Sequence, residues 1–240
     1  MEGEIKKRKL IIPIAFAIFW IATGCNKKEA QTEKAFDFSN IDQIIQSWID
    51  SGYYHGAGLI IAKNKKIIFD KFYGDYTADS VVYIASAGKW LASATIAAVV
   101  DEGILSWDDQ VNKWLPEFAD VKGTATLRQL FSHTSGYPDY QPEGTHRDDY
   151  QTLKESVARI IGLPSDTVPG VEFHYGGLAM QVGGRMAELA TGKDWETLFQ
   201  EKIARPLGMK NTHFTPVHLG GGHSPMLGGG ARTVLHDYAA

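Results

Sequence analysis

A mixed α/β fold, with an antiparallel hairpin followed by several helices, is predicted by three observations. Two β-rich runs, Gly56 to Ala62 and Lys66 to Tyr73, flank the polar Lys63-Asn64-Lys65 and read as a hairpin. An alanine-rich apolar stretch from Ser86 to Gly103 reads as a buried helix, with further helical segments after it. The composition, 44% hydrophobic, 11% aromatic and 22% charged over 240 residues, is that of a folded chain with a sizeable core.

Taken in order, the chain opens on the basic block Lys6, Lys7, Arg8 and Lys9, followed by an apolar run from Leu10 to Ala22. Thirteen apolar residues are too few to span a bilayer comfortably and suit the central region of a secretory signal. The only cysteine, Cys25, follows at once, and Ala22-Thr23-Gly24-Cys25 is similar to a bacterial lipobox, with Ala22 where leucine is usual. Residues 1–24 are therefore expected to be a lipoprotein signal peptide, Cys25 the lipidated residue, and residues 25–38 a polar tether. An uncleaved anchor or an ordinary secretory signal with an incidental cysteine are the alternatives. Cleavage before Cys25 would leave twenty basic and twenty-six acidic residues, a net charge of −6. Asn26 beside Cys25 points to outer-membrane sorting in a diderm bacterium.

From Ser39 a helix is predicted, with Ser39 or Asn40 as cap, Ile41, Ile44, Ile45 and Trp48 on one face, and Gly52 as stop. The hairpin and the buried helix follow. Pro116, Pro138, Pro142, Pro164 and Pro169 punctuate a loop-rich middle. Two more helices are expected, one near Leu178 to Ala190 with Gly192 beyond it, and one near Asp194 to Ala204 stopping before Pro206. Two strands followed by helices call for sheet partners from elsewhere.

Charge and cysteine count remove whole classes of function. A net charge of −4 offers no basic field to hold a phosphate backbone, so nucleic acid is not an expected partner. One cysteine makes neither an intrachain disulfide nor a cysteine-based zinc site. His218 and His223 stand five apart in a glycine-rich loop, and no His-x-His or His-Glu-x-x-His occurs. The Gly220–Gly222 and Gly228–Gly230 triplets lack a following Gly-Lys-Ser/Thr and read as flexible loop. No cofactor and no metal are expected.

The chemistry begins at Ser86-Ala87-Gly88-Lys89, at the start of the buried helix. Three residues apart, the two side chains share a face, so the Lys89 amine can reach the Ser86 hydroxyl. A neutral lysine so placed is a base that turns a weak alcohol into a nucleophile. A serine helix cap beside a solvated lysine is the other reading, because a chain with twelve serines contains about one Ser-x-x-Lys by chance.

Several further segments follow Ile84-Ala85-Ser86-Ala87-Gly88-Lys89 in order. They are Asp101-Glu102-Gly103-Ile104-Leu105, Trp114-Leu115-Pro116, Leu127-Arg128-Gln129-Leu130-Phe131-Ser132-His133-Thr134-Ser135-Gly136, Pro169-Gly170-Val171-Glu172-Phe173-His174-Tyr175 and Pro206-Leu207-Gly208-Met209. This succession resembles the serine β-lactamase-related family, which comprises class C β-lactamases, DD-peptidases and family VIII-type esterases. The resemblance runs from about Ser39 to the end and implies the β-lactamase/DD-peptidase-like fold, a sheet flanked by helices plus a helical subdomain. It also implies that Ser86 is an acylated nucleophile, Lys89 its base, and Tyr175 the tyrosine of the Tyr-x-Asn motif, relaying a proton. A core tyrosine with a bonded hydroxyl is the other reading of Tyr175.

Two departures matter. Gly177 stands where the motif has asparagine, which argues against efficient β-lactam turnover. The family's third motif, a Lys- or His-Thr/Ser-Gly strand lining the site, does not occur in the 240 residues, and Thr233 to Ala240 reads as a helix start cut short. Residues 39–240 are thus expected to be a serine hydrolase domain whose C-terminal strands are missing. His133 reads as part of a structural turn, and Ser86 fails the nucleophile-elbow pattern because Ile84 stands where glycine is needed. The expected function is a lipid-anchored cell-envelope serine hydrolase acting on an ester, amide or peptidoglycan-like substrate, an ester or amide ahead of a penicillin. A non-hydrolytic peptidoglycan- or β-lactam-binding lipoprotein of the same fold is the alternative. Oligomeric state is not readable.

Overall fold

The computed structural model describes residues 36–138, 152–214 and 225–240. The signal segment, Cys25, almost all of the tether, Pro142, Gly220–Gly222, His218 and His223 lie outside the described residues. Phe38–Ala240 forms one packed unit.

Helix α1, Ser39–Asp50, starts at the predicted place, but Phe38 occupies the cap position without a side-chain hydrogen bond and Ser39 is already helical. A helix with no buried residue draws its hold from outside its own termini. Asp42 accepts from Lys71 Nζ at 2.5 Å and from Tyr73 Oη at 2.8 Å, pinning α1 to the hairpin.

The hairpin comprises β1, Gly56–Lys63, and β2, Lys66–Gly74, paired antiparallel from Gly56↔Gly74 to Lys63↔Lys66. Asn64 and Lys65 have φ of +52° and +62°, the geometry of a two-residue turn whose twist matches the strands it joins. The register shifts between Ile61 and Ala62, a bulge that bends the ribbon.

Strand β3, Val82–Tyr83, pairs with β4, Arg232–Thr233, and the Ile84 N–H donates to the Ala231 carbonyl at 3.1 Å. These few bonds bring the chain's last described segment beside Ser86. A 3₁₀ turn, Ala85–Gly88, leads from β3 into α2, Lys89–Asp101. The buried helix is thus confirmed, with one adjustment: Ser86 sits in the turn before α2, not in its first α-helical turn. Gly103 follows with φ +72°, ending the helix as a left-handed glycine does.

Short helices α3, Val111–Trp114, and α4, Leu127–Phe131, come next, α4 opened by a reciprocal Thr126–Gln129 capping box. Helices α5, Leu153–Ile161, and α6, Leu178–Thr191, pack against each other, with Gly192 at φ +70° closing α6. Asp194 caps α7, Trp195–Phe199, whose chain continues through a π turn at Gln200–Ala204 into α8, Arg205–Leu207. Pro206 therefore does not stop this segment. It lies in the first turn of α8, where its missing N–H costs nothing, and Gly208 at φ +71° ends the run. Helix α9, Leu235–Tyr238, completes the described elements.

The core belongs to the helices. Leu91 and Ile96 of α2, Leu127 and Leu130 of α4, Leu153 and Ile160 of α5, Met180 of α6, and Phe199 of α7 are all fully buried. Glycines allow the closest approaches: a Cβ on Gly183 would stand 2.4 Å from the Phe131 ring, and one on Gly184 would stand 2.4 Å from Leu227. Lys122 is buried among them, its ammonium satisfied by Asp120 at 2.7 Å and by the Ile161 and Leu163 carbonyls at 3.1 and 2.5 Å.

Candidate active site

Three of the predicted residues meet in one place. Lys89 Nζ donates to Ser86 Oγ at 3.0 Å and lies 4.6 Å from the centroid of the Tyr175 ring. Cys25, the fourth, is outside the described residues.

Local backbone explains how Ser86 is presented. Ala85 has φ +46°, a left-handed conformation that costs an L-residue of order 1 kcal/mol, and the chain turns there from β3 into α2. Gly88 makes the turn possible, since a Cβ on it would come within 2.7 Å of the Ala231 Cβ. Ser86 is left exposed on a sharp strand-to-helix turn although its flanking sequence lacks the elbow pattern. Strain and close packing, set by β4, do the work that glycines do in that motif. The reading of Ser86 as a helix cap fails, because the cap position of α2 is Gly88.

Lys89 has a second partner that the motifs do not announce. Its ammonium donates to the Gly228 carbonyl at 2.5 Å, across 139 residues of chain. Gly228–Gly230 is thus not a free loop. The Gly229 and Gly230 N–H groups both bond the Met226 carbonyl, at 3.0 and 2.6 Å, and a Cβ on Gly228 would lie 2.8 Å from Gly177 Cα. The usable signal was the glycine run itself, which marks a backbone that something approaches closely.

Tyr175 is not a core tyrosine: it is 40% exposed at the mouth of the site. Hydrogen bonding to Lys89 and then to Ser86 holds its phenol below the ordinary tyrosine value, against a smaller opposing effect of burial. A neighbouring cation favours the phenolate, so Tyr175 can take up or release a proton nearer neutral pH than a free phenol.

A cleft of about 280 Å³ opens beside these groups, bordered by Ser86, Lys89, Gly177, Gln181, Met226 and Gly228. That volume is at the lower end of small-molecule sites and suits a small acyl group. One polar stretch of its wall is fixed: buried Gln181 donates to Ser156 Oγ at 3.3 Å and accepts from the Leu227 N–H at 2.7 Å. Ser156, Gln181 and Met226 went unseen in the sequence because nothing in it places α5, α6 and residues 225–229 around one space. At Gly177 a Cβ would meet only Gly228 Cα, at 3.7 Å, so the departure from asparagine leaves room at the rim of the cleft.

A serine hydroxyl bonded to a lysine on a strained turn, faced by a tyrosine and set on a helical core, is an arrangement that acylation of a serine would need. The chain belongs to the Beta-lactamase family, whose model matches residues 41–223. It is 30% identical over 209 residues to the D-alanyl-D-alanine-carboxypeptidase/endopeptidase AmpH of Escherichia coli K12, covering 81% of this chain and 54% of that protein. The chain thus spans about half the length of that relative. The structure of a candidate beta-lactamase from Bacteroides dorei DSM 17855 superposes with a TM-score of 0.79 at 55% identity, covering 85% of this chain and 61% of the other. The beta-lactamase/D-alanine carboxypeptidase of Yersinia pestis gives a TM-score of 0.69 at 25% identity, covering 84% and 66%. The β-lactamase/DD-peptidase fold expected from the sequence is therefore the fold of this protein.

Proposed function

We propose that this protein is a serine hydrolase that works through an acyl-enzyme and cleaves small esters or amides. The observation that carries the proposal is the Lys89–Ser86 hydrogen bond of 3.0 Å with Tyr175 beside it. The AmpH and Yersinia pestis relatives, named for action on D-alanyl peptides and β-lactams, support an acyl-transfer reaction.

Ser86 Oγ attacks the acyl carbon while its proton passes to neutral Lys89 or to the Tyr175 phenolate. The tetrahedral intermediate collapses, the leaving group takes that proton, and a water then repeats the sequence in reverse to free the acid. The Ser86 N–H supplies one donor to the oxyanion. The Gly228 carbonyl orients Lys89 on the side where the family's asparagine would act. Without that asparagine amide at position 177, a β-lactam's side-chain amide loses a partner, which ranks a simple ester or amide ahead of a penicillin.

The test is labelling of the full-length protein by a fluorophosphonate and by a fluorescent penicillin, with intact-mass readout, alongside p-nitrophenyl ester hydrolysis. Ester turnover lost in Ser86→Ala, faster fluorophosphonate than penicillin acylation, and a rise in penicillin acylation in Gly177→Asn are expected. Saturable muropeptide binding with no acylation of Ser86 would instead establish a non-hydrolytic binder.

The setting we propose is the bacterial cell envelope, with a lipid anchor on Cys25 after removal of residues 1–24. The order basic block, apolar run, Thr23-Gly24-Cys25 supports this. Fatty-acid labelling in the producing bacterium should be lost in Cys25→Ser, and label retained in that variant would refute the anchor.

A further inference from the structure

His133 lies in the turn after α4 and has φ +59°, a left-handed backbone for a residue with a Cβ. Such a conformation costs of order 1 kcal/mol and persists where the surroundings hold it. What holds it here is the segment that carries Tyr175. The His133 carbonyl accepts from the His174 N–H at 2.8 Å, and its Nδ1 accepts a long hydrogen bond from the Gly176 N–H at 3.4 Å. Between those two attachments, the imidazole lies 4.8 Å from the Tyr175 ring, centroid to centroid, tilted by 42°. Its edge meets Phe173 at 5.8 Å. One side chain thus touches the Tyr175 ring, the Gly176 N–H that follows it and the Phe173 ring two residues before it.

The same turn grips the segment further back. The Thr134 carbonyl accepts from the Gly170 N–H at 2.7 Å, and the Gly136 carbonyl accepts from the Asp166 N–H and from Ser165 Oγ, both at 2.9 Å. Gly136, at φ +73°, admits this contact because a Cβ on it would strike the Thr167 carbonyl oxygen at 2.1 Å. The turn is a platform on which residues 165–176 rest. From this turn the His133 side chain reaches the Tyr175 ring.

We propose that His133 is a positioning residue for Tyr175, holding the phenol at the distance from Lys89 and Ser86 that proton transfer needs. This rests on the reading of Tyr175 as the proton carrier. With Nδ1 accepting from the Gly176 N–H, Nε2 is the ring nitrogen left to donate in this arrangement. Among the described residues, Tyr175, His174 and Glu172 of the facing segment carry ionisable groups on this side, with Lys89 beyond the tyrosine ring. His174 and Glu172 are already joined at 2.9 Å.

The experiment uses the full-length protein and two variants, with p-nitrophenyl ester rates normalised to sites titrated by fluorophosphonate so that a partly folded variant is still scored. His133→Asn tolerates the left-handed backbone but removes the ring. His133→Phe keeps a ring face and removes the nitrogens. In His133→Asn, kcat should fall about 10- to 100-fold with KM changed less than about 3-fold, as a misplaced catalytic group requires. The pH midpoint belonging to Tyr175 should move up toward that of a free phenol, and His133→Phe should recover part of the loss. Wild-type kcat and an unmoved midpoint in both variants would overturn the proposal. So would a loss of kcat that His133→Phe shares in full with no shift of the midpoint. If wild-type protein is not acylated at Ser86, the hydrolase reading itself falls and takes this inference with it. If wild type is active and both variants match it, only the inference falls.

Discussion

The helical region and the layer formed by α1 with the hairpin are built on opposite terms. In the first, α2, α4, α5, α6 and α7 interlock through side chains with no solvent exposure. In the second, α1 buries nothing completely, Ile41, Ile44 and Trp48 remain more than a third exposed, and Tyr73 is the buried residue of the hairpin. One layer is held by packing and the other by a few directed contacts, such as Asp42 with Lys71 and Tyr73 and the ring pair of Phe38 with Phe69 at 5.1 Å. The reacting groups are placed accordingly. Ser86 projects from the 3₁₀ turn leading into α2, Lys89 from the first residue of α2 and Tyr175 from the segment entering α6, and both helices belong to the packed region. A catalytic group must be held to a fraction of an ångström, and only the close-packed half supplies that stiffness.

The sharpest way to break the comparison is a pair of truncations. Ile96→Ala in α2 should destabilise by about 2–5 kcal/mol in urea unfolding, whereas Ile44→Ala on α1 should cost less than about 1 kcal/mol. Equal costs would show that α1 is packed as tightly as α2 and would remove the distinction. A smaller effect separates two carboxylates. Asp42, on α1, is held below the ordinary aspartate value by its hydrogen bonds from Lys71 and then from Tyr73. For Asp109 burial pulls upward, but the bonds from Lys113, Trp114 and the Ser106 N–H outweigh it and leave the value lowered. Both folded values lie below the unfolded one. The stability each contributes is therefore present above the unfolded aspartate value and lost as pH falls through the folded one, in the window below about pH 4. Asp109→Asn should flatten that acid limb at any ionic strength. Asp42→Asn should flatten it only at low salt, because an exposed pair is screened. Thermal melts from pH 2 to pH 6 at two salt concentrations read both.

Much of this architecture was legible before folding. The hairpin boundaries agree to one residue, because Asn64 and Lys65 accept the left-handed turn between two β-branched runs. The buried helix and α6 were readable from apolar runs closed by glycine. The cap of α1 was not, since Ser39 is drawn into the helix and the aromatic Phe38 before it is held against Phe69 instead. Pro206 misled for a related reason: a proline stops one helix and starts the next equally well, and the π turn before it lets the chain run on.

For the site, the three-residue spacing offered Ser86 and Lys89 as a pair, the ordered succession of motifs that resembles the family gave that pair its weight, and Tyr175 was legible through that resemblance alone. The pairing of Ser86 with Lys89, three residues apart across the 3₁₀ turn into α2, is written locally, and their hydrogen bond needs little more than that turn. The tertiary structure alone decided what surrounds them. Pairing of β3 with β4 carries Gly228 to within hydrogen-bond reach of Lys89, and the turn after α4 sets His133 against Tyr175. Contacts across 139 and 42 residues leave no mark in local periodicity. Glycine and histidine have many structural uses, and only the folded chain shows which of them this protein employs.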